Sequence, residues 1–222
     1  MDSLISRIYT ILLESYGPQG WWPLGGAYFP QQEDPFEITV GAILTQNTSW
    51  KNASIAIEEL RKKGLLSADR ILATSHEELA CAIRSSGYYN QKANRLKRMC
   101  RFFNHTARRR IAPTREELLA IRGIGPETAD SILLYAYHIP VFVIDAYTRR
   151  IFSRVGLALE NMSYDEAQEL FMQNLPLDEG LFNEYHALIV RHGKDVCRKV
   201  PLCTYCVVAQ ENMCTYEKES SR

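Results

Sequence analysis

Residues 121–150 read IRGIGPETADSILLYAYHIPVFVIDAYTRR. A turn, Gly123-Ile124-Gly125, stands between two segments of helical pattern. Twenty residues past Gly125, the apolar run Val141-Phe142-Val143-Ile144 ends on a lone acid, Asp145. Two glycines around one aliphatic residue let the backbone enter left-handed or crowded conformations closed to other residues. Pro126 supplies the preset φ of a first helical position, and its missing N–H would have no intrahelical partner there. The segment reads as a helix start whose free N–H groups and positive dipole end can take a phosphate. By residue type alone it is equally an ordinary helix–turn–helix corner, with Asp145 as a helix N-cap.

Outward from this stretch the pattern is helical almost throughout. Leu4, Ile5, Ile8, Ile11 and Leu12 recur at i, i+3 and i+4, which predicts an amphipathic helix over 2–15. Residues 17–23, GPQGWWP, cannot form regular helix. Four pairs, Asp34/Glu37, Ser75/Glu78, Thr114/Glu117 and Ser163/Glu166, have capping-box spacing and predict helix starts. Gly64 and Gly87 read as helix stops, and His138-Ile139-Pro140 as a break. Strand alternation is almost absent, so the fold class is all-α.

The length of 222 residues fits one large or two small domains. With 46% hydrophobic residues but no run of about eighteen apolar ones, a soluble protein is expected rather than a spanning one. The N-terminal sequence shows no basic region followed by an apolar block, so no secretory signal is read. The expected location is cytoplasmic, nucleoid-associated in a prokaryote. Lys plus Arg and Asp plus Glu balance at 26 each, which argues against a generic polyanion binder. The distribution is uneven, however. Residues 79–115 hold no acid but include Arg84, Lys92, Arg95, Lys97, Arg98, Arg101, Arg108, Arg109, Arg110 and Arg115. Such a stretch is either a phosphate-facing surface or a solvated helix face.

Cys81 and Cys100 sit singly in helical patterns, where small buried residues are expected. Cys197, Cys203, Cys206 and Cys214 crowd the C-terminus. Without a secretory signal, clustered thiols read as metal ligands rather than a disulfide framework. Four thiolates suit either an iron–sulfur cluster or zinc.

The ordered set Leu118-Leu119-x-Ile121-x-Gly123-Ile124-Gly125-x-x-Thr128-Ala129, followed by Val143-Ile144-Asp145, resembles the endonuclease III superfamily of DNA glycosylases. Its match is to their helix-hairpin-helix and the Gly/Pro–Asp segment after it. The resemblance implies a six-helix domain over 30–138 ending in the hairpin. Residues 1–29 and 139–222 would form the second helical domain, with the catalytic cleft between the two. Gly123, Gly125 and Thr128 would then belong to the DNA-binding hairpin. Asp145 matches the family's catalytic aspartate. A carboxylate there can stabilise the cationic sugar, or activate a water, as an N-glycosidic bond breaks.

Two loops extend the likeness. Gln46, in Leu44-Thr45-Gln46-Asn47-Thr48-Ser49-Trp50, matches a glutamine that fills the space left by an extruded base. An amide can donate to and accept from the orphaned partner; by residue type alone Gln46 is a helix-end surface residue. Gly87-Tyr88-Tyr89-Asn90-Gln91-Lys92-Ala93 resembles a loop that presses into the opposite strand. Tyr88 would be its wedge and Asn90 part of the loop, with Lys92 leading a helix that contacts phosphate.

Bifunctional members carry a nucleophilic lysine two residues beyond the second hairpin glycine. Here that position is Glu127. A carboxylate cannot form a Schiff base, which implies a monofunctional enzyme that uses water. Trp21-Trp22-Pro23 and Trp50 resemble the 3-methyladenine glycosylases of the endonuclease III type, which also carry glutamate at the hairpin position. An electron-rich pocket of Trp21, Trp22 and Trp50 suits a base made cationic by alkylation; the tryptophans also fit a domain core. Lys194 either faces that pocket or contacts phosphate.

The cysteine spacing, Cys197-x5-Cys203-x2-Cys206-x7-Cys214, keeps the family's central gap. Its outer gaps are one residue shorter and two longer than usual. The resemblance favours a [4Fe–4S] cluster over zinc. The sequence therefore implies a monomeric base-excision glycosylase that acts on duplex DNA containing a damaged base, expected to be an alkylated purine. The alternatives are a bifunctional glycosylase/lyase for oxidised pyrimidines and a non-catalytic damage-binding protein.

Overall fold

The computed structural model describes residues 3–20, 34–107 and 111–216. Among these the regular structure is helical, with no strand. In chain order the helices are α1 (Leu4–Tyr16), α2 (Pro35–Thr45), α3 (Trp50–Lys62), α4 (Ala68–Ala73), α5 (His76–Ala82) and α6 (Tyr89–Ala107). They continue with α7 (Arg115–Leu119), α8 (Pro126–Tyr137), α9 (Ala146–Phe152), α10 (Tyr164–Asn174), α11 (Glu179–Asp195) and α12 (Val207–Gln210). Among the described residues no helix is long and apolar enough to cross a membrane.

The chain divides into two units, Phe29–Ile139 and the pair of segments Met1–Tyr28 with Pro140–Arg222. The first is built around α2, whose residues from Phe36 to Leu44 are all buried. A helix apolar on every side needs neighbours on every side. α3, α6 and α8 pack against it, α4 and α5 lie on α6, and α7 lies on α8. The second unit pairs α11 with α1 and α9. Its centre is an aromatic cluster in which Phe142 stacks on Phe171 at 4.4 Å and meets Phe182 and Tyr185 edge-on at 5.5 and 5.7 Å. Each ring contributes about 1.5–3 kcal/mol by leaving water. The Tyr185 hydroxyl donates to the Ile5 carbonyl at 2.6 Å, tying α1 to α11.

The caps show how local sequence sets these ends. Thr114/Glu117 and Ser163/Glu166 form complete capping boxes. Ser75 accepts from the Glu78 N–H. Asp34 caps α2 through the Phe36 N–H, but Glu37 does not reach back. Instead Glu37 is buried and accepts from Arg61 at 2.6 Å, because α3 packs close beside it. Of the two solitary thiols, Cys100 is buried as expected and Cys81 is exposed.

Candidate active site and nucleic-acid interface

Asp145 is the N-cap of α9. Its Oδ1 accepts from the Thr148 N–H at 2.7 Å and the Thr148 hydroxyl at 2.8 Å. Its Oδ2 lies 3.5 Å from His186 Nε2 on α11. Burial alone would raise this carboxyl; the His186 imidazole and the two Thr148 donors outweigh it and hold the group below the usual carboxylate range. The neighbouring Tyr147 hydroxyl is pushed up, first by its own burial and then by the Asp145 charge. The result is a buried carboxylate kept ionised out of water, where a charge is screened less than in solvent.

His186 escaped the sequence reading. It lies 41 residues from Asp145, but its own helix carries a signal. Phe182, Tyr185, His186 and Ile189 have the i, i+3, i+4, i+7 spacing of a buried stripe, and all four are buried.

The hairpin of the first unit is braced before it turns. Arg115 grips the buried Asp130 through two bonds, Nε to Oδ1 at 2.8 Å and Nη2 to Oδ2 at 3.2 Å, fixing α7 on α8. Arg115 is thus committed inside the fold, not aimed at phosphate. The two hairpin glycines differ. Gly123 has φ +100, a conformation that other residues rarely adopt. Gly125 caps α8 at φ −98 and ψ 176, extended backbone open to any residue, and a Cβ there would meet nothing among the described residues. Nothing within the described chain demands glycine at 125. Pro126 holds the first helical position, and Glu127 is exposed in the first turn of α8. Thr128 is buried and accepts from Gln46 Nε2 at 2.8 Å.

Gln46 is the C-cap of α2. Besides Thr128, its amide donates to the Gly123 carbonyl at 3.2 Å and accepts from Arg95 Nη1 at 2.6 Å. Tyr88 is 63% exposed at φ 45, a left-handed backbone for a bulky residue. Asn90 is exposed in the first turn of α6, where its carbonyl accepts from Asn94. Trp50 opens α3 half-buried. Trp21 and Trp22 lie outside the described residues. Lys194 is exposed on the last turn of α11.

Lys92 corrects the sequence reading. It is 0% exposed, and its ammonium donates to the Leu44 carbonyl at 2.8 Å and the Ser86 carbonyl at 2.6 Å. It offers no charge to phosphate. Burial, with Arg95 nearby, lowers its pKa to about 8. Lys92 belongs to the same stripe as Leu96, Met99 and Cys100, all buried, and that spacing was the available signal. The bonds join the end of α2, which carries Gln46, to the loop that carries Tyr88. Elsewhere in the acid-free stretch, Lys97 donates to the Thr74 carbonyl and Arg84 lies over the Tyr89 ring. Arg108, Arg109 and Arg110 lie outside the described residues.

At the C-terminus none of the four cysteines forms a disulfide. Donors are already directed at two of the sulfurs. Arg154 Nη1 donates to Cys197 Sγ at 3.2 Å. The backbone N–H groups of Val208 and Ala209 bond Cys206, and His192 Nε2 lies 3.6 Å from its sulfur. Burial lowers His192 to about 4, so its ring is neutral. Its Nδ1 lies 2.8 Å from the Tyr16 hydroxyl, and its Nε2 faces Cys206. Burial, together with Cys197 and Cys214 nearby, pushes the Cys206 thiol up. Among the described residues no three Cys, His, Asp or Glu side chains group tightly enough to hold a single ion.

The family model for base excision DNA repair proteins of the HhH-GPD superfamily matches residues 40–177, from the middle of α2 past the hairpin and Asp145. The chain belongs to the HhH-GPD superfamily. It is a DNA glycosylase, an enzyme that hydrolyses N-glycosidic bonds. A candidate DNA repair glycosylase of Methanocaldococcus jannaschii is 47% identical over 216 residues, covering 93% of this chain and 94% of that one. Endonuclease III of Sulfolobus acidocaldarius is 32% identical over 218 residues, covering 96% of each. The crystal structure of the 3-methyladenine DNA glycosylase MagIII of H. pylori, bound to 1,N6-ethenoadenine, superposes with a TM-score of 0.71 at 27% identity, covering 86% of this chain and 97% of that one. As in other HhH-GPD proteins, the fold is all-α.

Proposed function

We propose that this HhH-GPD glycosylase is monofunctional and removes an alkylated purine from duplex DNA, with Asp145 as its catalytic carboxylate. The observation that carries the reading is Glu127. It stands exposed in the first turn of the hairpin helix, where bifunctional relatives place an amine nucleophile. A carboxylate cannot attack the sugar to give a Schiff base, so water completes the reaction. The likeness to MagIII, a structure containing an ethenoadenine, supports a purine substrate.

In this reading the hairpin N–H groups beside Gly125 take a backbone phosphate. Gln46 enters the stack, and Tyr88 presses on the other strand. As the glycosidic bond lengthens, positive charge grows on the sugar. Asp145 stabilises that charge and orients the attacking water, and Thr148 and His186 keep its carboxyl ionised and fixed. An alkylated purine is already cationic and leaves readily, so little acid catalysis is asked of the protein. Trp50, with Trp21, Trp22 and Lys194, remains the proposed lining of the base pocket, and Asn90 part of the strand-pressing loop. Asp145→Asn keeps the cap geometry and removes the charge. Base release in single turnover should fall at least about 100-fold with duplex binding retained. Unchanged release on every lesion the wild type accepts would sink the assignment.

Cys197, Cys203, Cys206 and Cys214 would hold a [4Fe–4S] cluster, each thiolate on a different iron, so the sulfurs need not converge as they would on one zinc ion. The donors aimed at Cys197 and Cys206 suit thiolates. When bound, the cluster supplies four iron–thiolate bonds that fasten residues 197–214 together. A second reading, a glycosylase with lyase activity, is favoured by the Sulfolobus relative named endonuclease III. Strand scission without alkali is its signature.

A further inference from the structure

Between α6 and the hairpin turn lies a cavity of about 340 Å³ lined by Gln91, Asn94, Arg95, Arg98, Arg122 and Gly123. Three guanidiniums meet there and none of the lining residues is acidic. Their bonds run to neutral acceptors: Arg95 to Gln46 Oε1 at 2.6 Å and Gln91 Oε1 at 3.3 Å, and Arg98 to the Arg122 carbonyl at 3.1 Å. Among the described residues, none of the three is paired with a carboxylate. Arg95 can lie along the turn because Gly123 has no side chain; a Cβ there would stand 2.8 Å from Arg95 Cγ and Nε.

We propose that this cavity binds a DNA backbone phosphate, and that its filling draws Arg95 away from Gln46 and so releases the glutamine for insertion into the duplex. The site is distinct from the hairpin N–H groups: it is made of side chains from α6 and the first half of the turn. Phosphate offers arginine an opposite full charge and two oxygens for its planar fork, where an amide offers a single neutral oxygen, so the anion wins the competition for Arg95. Gln46 then keeps only its two donor bonds, to the Gly123 carbonyl and the Thr128 hydroxyl. Until a backbone is seated, the plug is parked on the hairpin. The release step rests on Gln46 being the inserted residue; the phosphate site does not.

The test compares wild type with Arg98→Ala/Arg122→Ala, which leaves Arg95 and Gln46 in place. Binding to an undamaged duplex is measured against salt, with melting curves to confirm folding and Arg122→Glu as a second variant. Loss of one phosphate contact should flatten the slope of log K against log salt by about 0.9 in the double variant. A slope equal to that of wild type would overturn the site. The Gln46 side-chain amide resonance, followed as the same duplex is added, should move in wild type and stay still in the double variant. An amide that never moves, or moves equally in both, would overturn the release. Failure of the wild type to bind any duplex would instead overturn the DNA-binding reading itself.

Discussion

At the scale of single residues, the site depends on charges held against burial. Asp145 stays ionised although it is buried, because two Thr148 donors and the His186 imidazole oppose the cost of burial. A carboxyl depressed in the fold contributes stability above its unfolded pKa, and that contribution is lost as pH falls through the lower, folded value. Base release should accordingly hold its rate as pH falls through the ordinary carboxylate range. His186→Gln removes the chargeable partner, so burial is less opposed and the Asp145 pKa rises. The acid limb of the single-turnover pH profile should move to higher pH, with its alkaline side unmoved; an unmoved acid limb would restrict His186 to packing. Asp145 was legible as a helix N-cap because it closes an apolar run before a helix, both local signals; its catalytic reading came from the family resemblance. Its partner was not, because the contact spans two helices and only the fold brings them together.

At the scale of elements, the capping boxes of α7 and α10 and the Gly-x-Gly-Pro turn were legible for the same local reason. Lys92 was misread because a lysine among arginines looks like its neighbours; only its place on the buried stripe of α6 sets it apart. Lys92→Met would leave the Leu44 and Ser86 carbonyls without their donor, a loss of about 2–4 kcal/mol in chemical denaturation. The pH dependence has a definite sign. With the folded pKa near 8 against an ordinary lysine value of 10.5, the unfolded chain binds more protons between those values, so this group makes stability rise with pH across that window. The variant should lack that rise. A variant as stable as wild type would mean the ammonium does not tie the two loops.

At the scale of the whole molecule, net charge conceals the interface. Equal numbers of acids and bases coexist with an acid-free stretch that splits into separate tasks: Arg115 braces the hairpin, Lys92 joins two loops, and Arg95 and Arg98 line a cavity with Arg122. Sequence could report the one-signed stretch but not this division, which depends on which face each side chain takes. The cysteine cluster was read from sequence as a proposed ligand set; the neutral His192 beside Cys206 was not foreseen, because its place depends on Tyr16 at the far end of the chain. Chemical analysis of protein purified without oxygen should find about four irons and four sulfides per chain, and Cys206→Ser should lose them. One zinc per chain would reverse the cofactor assignment.

The proposed enzyme uses water, with Glu127 where an amine nucleophile would stand. Single-turnover incubation with duplexes carrying an alkylated purine, an oxidised pyrimidine, uracil or a mismatch tests it most directly, each reaction split into hot-alkali and untreated halves. Strand cleavage is expected only after alkali, strongest for the alkylated purine. Cleavage in the untreated half would show that another amine attacks the sugar, and would contradict the reading of Glu127.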